Sequence, residues 1–98
     1  MNTRTRQTPP QTHLFLVERF WPGVDRRRAG SAVARLERAA RHGEGRVRHL
    51  RSGYIPADEM VWSVLEADSA DAVVAVANRA GYCVDRISET ISVGEGRR

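Results

Sequence analysis

Apolar positions recur along this chain with two periods, and the period changes where turn residues stand. His13-Leu-Phe-Leu-Val-Glu-Arg-Phe20 is rich in strand-forming residues and stops at Trp21-Pro-Gly23, which predicts a first strand and a turn. After Asp25, a plausible N-cap, Ala29, Ala32, Val33, Leu36, Ala39 and Ala40 return every three or four residues with arginines and Glu37 between them. This predicts an amphipathic helix, with His42 at its negative end and Gly43 as a left-handed stop. Arg46 to Ile55 alternates loosely, and Pro56-Ala-Asp58 joins it to Glu59–Ala67, two strands that predict an antiparallel hairpin. Ser69 caps a second helix with Val73, Val74, Ala77 and Ala80 on one face and Gly81 at its end. Val84 to Val93 is the last strand, where Ile87, Ile91 and Val93 share a face.

The order strand, helix, strand, strand, helix, strand is that of the split βαβ, ferredoxin-like α+β fold, an alpha-beta plait. It predicts a four-stranded antiparallel sheet with both helices on one face. The first and third strands are expected at the centre, running parallel to each other. The other face of the sheet has no cover, and it carries some of Phe15, Val17, Leu50, Trp62 and Val64. In so small a chain such a face calls for a second subunit, so a homodimer closed sheet against sheet, a dimeric α+β barrel, is expected.

The 98 residues allow one domain, placed at 13–93 between a Thr/Arg/Pro-rich tail at 1–12, expected to be disordered, and a short tail at 94–98. With 41% hydrophobic and 29% charged residues the chain falls in the globular class. No apolar run is long enough for a bilayer span and no signal-like segment opens the chain, which predicts a cytoplasmic protein without a membrane partner. The single cysteine, Cys83, excludes an internal disulfide and reads as structural. The net charge of +4 rests on 16 arginines and no lysine, the mark of a GC-rich coding sequence. The arginines are scattered, two groups of them in the tails, so nucleic acid is not an expected partner.

Three strands carry a glutamate inside apolar sequence: Glu18, Glu66 and Glu89. A half-buried carboxylate needs an arginine, a donor, water or a metal beside it. With the first and third strands taken as parallel, Glu18 and Glu66 are expected toward the same end of the sheet, with Glu89 on a neighbouring strand. If their faces coincide they form a carboxylate cluster that His13 or His49, both on strands, would complete as a hard-ligand metal site. Pairing of each glutamate with an arginine is the simpler reading. The histidines show no metal-motif spacing, and no nucleophile elbow, phosphate loop or dinucleotide fingerprint is present. The third strand lacks the aromatic pattern by which this fold reads RNA.

Phe15-Leu-Val-Glu-Arg-Phe20, Val47-Arg-His-Leu-Arg-Ser52, Pro56-Ala-Asp-Glu59, Leu65-Glu-Ala67, Ser69-Ala-Asp-Ala-Val73, Arg79-Ala-Gly81 and Asp85-Arg-Ile-Ser-Glu89 occur in the order found in a family of small bacterial nickel-binding proteins, first catalogued as a domain of unknown function. The chain resembles that family over residues 14 to 93. The resemblance implies a ferredoxin-like dimer that binds nickel or another divalent metal, with no established reaction. It puts Glu18, Glu66 and Glu89 inside family motifs. The cysteine and tyrosine common in the relatives' third strand are absent here, where Val61, Ser63 and Leu65 stand, and Gly81-Tyr-Cys83 replaces their Gly-Leu-Pro. The alternative reading is a small-molecule-binding protein or cofactor-independent enzyme of the dimeric α+β barrel type. Its cleft, between sheet and helices, would be lined by Glu18, Arg19, Trp62 and Glu89.

Overall fold

In the computed structural model, which describes residues 12–43 and 46–94, the chain runs β1 (His13–Phe20), α1 (Arg26–His42), β2 (Arg48–Ile55), a 3-10 turn (Pro56–Asp58), β3 (Met60–Ala67), α2 (Ala70–Ala80) and β4 (Arg86–Thr90). The tails expected at the two ends lie almost wholly outside the described residues. The four strands form one sheet in the order β2-β3-β1-β4, and every neighbouring pair is antiparallel. This is the ferredoxin-like α+β arrangement.

One expectation is corrected. β1 and β3 are adjacent and central but antiparallel, with His13 opposite Ala67 and Phe20 opposite Met60. The crossover through α1 makes β1 parallel to β2, and the hairpin then reverses the chain, so β3 must run against β1.

The helix boundaries follow from local chemistry. The Asp25 side chain accepts a hydrogen bond from Arg28 N at 2.8 Å and Ser69 accepts one from Ala72 N at 3.2 Å, so both N-caps are used as the sequence predicts. Gly81 takes the left-handed conformation (φ 65°) that ends α2. Gly43 does not: its backbone is extended (φ −81°), and a Cβ there would collide with the Arg79 guanidinium. That guanidinium is the far end of a flexible, exposed side chain, so the tighter limit at Gly43 is the Ala39 carbonyl oxygen, 3.0 Å from where a Cβ would stand. Of the α2 face, Val73, Val76 and Ala77 are buried, whereas Val74 points outward.

Strict alternation along β3 sends Val61, Ser63, Leu65 and Ala67 under the helices and leaves Met60, Trp62, Val64 and Glu66 on the far side. Phe15 and Val17 of β1 join the covered face, where Leu36, Ala40, Val73, Val76, Ala77 and Tyr82 pack on them as one core. Phe15 and Val17 are thus core, and the uncovered face holds Leu14, Leu16, Phe20, Ile55, Met60, Trp62 and Val64. In β2 the register shifts between His49 and Arg51 around Leu50. This bulge turns Ser52 to the same side as His49.

Candidate functional site

The antiparallel register decides where the carboxylates lie. Glu18 is opposite Trp62 near one end of the central pair, and Glu66 is opposite Leu14 near the other. They share the uncovered face but lie at its opposite ends. Glu89 is opposite Phe15, so it belongs to the helix-side face at the edge strand. The expected carboxylate cluster does not form within one chain, and no group of three or more His, Cys, Asp or Glu side chains converges among the described residues.

Each glutamate has a basic neighbour. Arg48 Nε donates to Glu66 Oε1 at 3.1 Å, and Arg86 Nε stands 3.7 Å from Glu18 Oε1, too far for a hydrogen bond. Glu18 is only 18% exposed, so it is the most buried of the three carboxylates and the least well held. Glu89 Oε2 lies 2.7 Å from His13 Nδ1. A carboxylate on one imidazole nitrogen orients the ring and leaves Nε2 as the nitrogen that could meet a ligand, the usual support behind a metal-binding histidine. Of the candidate ligands, His13 and Glu89 are brought together, and His49, Glu18 and Glu66 are apart from them.

The four residues expected to line one cleft do not share it. Glu18 and Trp62 are neighbours on the uncovered face, Arg19 points under the helices because it is the next residue in the strand, and Glu89 is at the edge. Trp62 lies flat over Gly53, its register partner, and a Cβ at Gly53 would run into the indole.

Beneath the helices the structure holds a polar seam that strand patterning did not reveal. Ser63 is fully buried, and its Oγ is 2.6 Å from Ser52 Oγ, which is 2.7 Å from His49 Nε2. The β2 bulge makes this possible, and alternation alone would have turned Ser52 away. Burial holds the His49 imidazole below its ordinary range, against an upward pull from Glu37. A neutral ring can accept the Ser52 proton. His49 also borders a pocket of about 280 Å³ between α1 and the start of β2.

Farther along the same face, Tyr82 and Arg19 form the second half of the seam. The Arg19 guanidinium sits 3.8 Å over the Trp21 ring and 5.1 Å from the Tyr82 ring centre, and it has no acidic partner among the described residues. Its Nη1 and the Tyr82 hydroxyl are both buried without a hydrogen-bond partner among those residues. Burial pushes the Tyr82 phenol up, partly offset by Ser63 and the Arg19 charge nearby. A buried donor in this state favours an acceptor beside it, a water or a ligand oxygen.

No protein-family model matches the chain, and no curated protein does. Among solved structures, SCO4226 from Streptomyces coelicolor A3(2) has the same fold, with a TM-score of 0.72 at 23% identity over 82% of this chain and 99% of that one. At that identity the likeness speaks for the fold alone. No helix among the described residues is long and apolar enough to cross a membrane.

Proposed function

We propose that this protein works as a homodimer closed across the uncovered face of the sheet, and that the dimer binds a divalent metal, nickel being the ion that the family resemblance implies. The observation that carries the reading is Glu18: a carboxylate 18% exposed on an apolar face, whose one basic neighbour among the described residues is a guanidinium at 3.7 Å. Around it lie Leu16, Met60, Trp62 and Val64, with Phe20, 56% exposed, two residues along β1. A second copy on this face would bury that apolar surface and supply the further donors that a metal at Glu18 requires, since one chain does not gather them. His13, oriented by Glu89, is a second candidate ligand, reached from outside the sheet pairing.

Calorimetric titration of the protein with nickel chloride tests the metal. Saturable binding is expected, weakened at least tenfold in Glu18→Gln and unchanged in Glu37→Gln, which lies on α1 away from the sheet's open face. Absence of binding, or equal affinity in Glu18→Gln, would refute the metal at Glu18 and leave the dimer to its own test.

A second reading has its own support in Arg19. An arginine stacked on Trp21 and 5.1 Å from the Tyr82 ring centre, with a buried nitrogen that has no hydrogen-bond partner among the described residues, suits a small organic acid held under the helices. Benzoate should then quench tryptophan fluorescence saturably in the wild type and not in Arg19→Gln. Equal quenching in both would end this reading.

A further inference from the structure

The groove between the C-terminal half of α1 and the end of α2 opens as a pocket of about 450 Å³ lined by Arg35, Arg38, Ala39, His42, Arg79 and Ala80. Four of these six residues are bases and none is an acid. All bases of the chain except histidine are arginines, so the choice of guanidinium carries no information here, but the placement does. Of the other α1 arginines, Arg28 is answered by Asp25 at 3.7 Å and Arg41 by Glu37 at 3.6 Å, whereas Arg26 and Arg27 at the exposed N-terminal end have no ion pair among the described residues and line no shared groove with a second helix. Arg35, Arg38 and Arg79 make no ion pair among the described residues.

Arg79 reaches into the groove from the second helix. It crosses from α2 to α1, where its Nη2 is 3.4 Å from the Ala39 carbonyl oxygen, a long contact, and its guanidinium fills the space that a side chain at Gly43 would need. Arg35, Arg38 and His42 stand at spacings of three and four, which puts them on one side of α1 facing it. Confining like charges around one pocket is unfavourable until an anion shared among them replaces the missing acids. Guanidinium groups from two directions match the oxygens of a phosphate in paired hydrogen bonds.

We infer that this groove binds a small molecule bearing a phosphate or diphosphate group, with Arg35, Arg38 and Arg79 gripping the phosphoryl oxygens and Ala39 and Ala80 beneath them. The site is on the outer side of the helices and is independent of the metal and dimer reading. Inorganic pyrophosphate is the probe, titrated calorimetrically in the presence of EDTA so that no metal contributes. Saturable binding at one site per chain is expected, weakened at least tenfold in Arg38→Gln/Arg79→Gln. The exposed single variant Arg35→Gln should weaken it severalfold without bearing on the fold, and Arg26→Gln, at the other end of α1, should leave it within twofold. No saturable binding overturns the inference. An equal loss in Arg26→Gln also overturns it, since that would mean a response to overall charge.

Discussion

At the scale of single residues, Ser63 shows how the covered face tolerates a polar group. Its hydroxyl is fully buried and satisfied by Ser52, which in turn meets His49 at the edge of the sheet. Ser52→Ala should therefore cost about 1–3 kcal/mol by stranding a buried hydroxyl, and Ser52→Ala/Ser63→Ala should recover much of that loss in urea unfolding. A double variant as unstable as the single one would show that the loss does not come from a stranded Ser63 hydroxyl. His49 adds a pH dependence with a definite sign. Its native pKa lies below the ordinary value of about 6.5, so the unfolded chain takes up a proton first as pH falls. Stability is fully present above that value and is lost as pH drops from it through the native pKa. The urea midpoint should fall between pH 7.5 and 5.5 in the wild type and fall less in His49→Gln. The three glutamates were visible in the sequence as unusual, and their partners were not, because Arg48, Arg86 and His13 are distant in the chain and are supplied by register.

At the scale of elements, the periods of the sequence correctly located all four strands and both helices, down to the capping side chains of Asp25 and Ser69. The failures have physical causes. The direction of β3 relative to β1 follows from counting reversals along the chain, and the parallel expectation misplaced Glu18 and Glu66 at one end. β4 ends at Thr90, so Ile91 and Val93 lie beyond it, 77% and 84% exposed, outside the face assigned to them. The bulge at Leu50 cannot be read from a loosely alternating segment, and it alone makes the His49–Ser52–Ser63 seam. Gly53 is the element-scale device on the other face, because the Trp62 indole rests where its side chain would be. Gly53→Ala should displace the ring, shift tryptophan emission and cost about 1–3 kcal/mol. Unchanged emission and stability would mean that the ring has room to move.

At the scale of the whole molecule, two helices cover one side of a four-stranded sheet and leave an apolar side open. That side carries Leu14, Leu16, Phe20, Ile55, Met60, Trp62 and Val64, with Arg48, Arg51, Arg86, Glu18 and Glu66 among them. Charges of both signs on one face suit a copy of itself about a two-fold axis, where each sign can meet its opposite. A stable interface needs roughly 800 Å² from each partner. That one side of the sheet would lack helices was legible in the fold order alone, although which side of β1 would be open was not, because both sides of that strand are apolar. The proposed metal at Glu18 depends on the same association. Light scattering at about 10 μM, metal-free and at moderate salt, tests the association directly. A dimer closed on this face scatters as twice the chain mass of 11.0 kDa and returns to 11.0 kDa in Leu16→Arg. A wild-type mass of 11.0 kDa would contradict it.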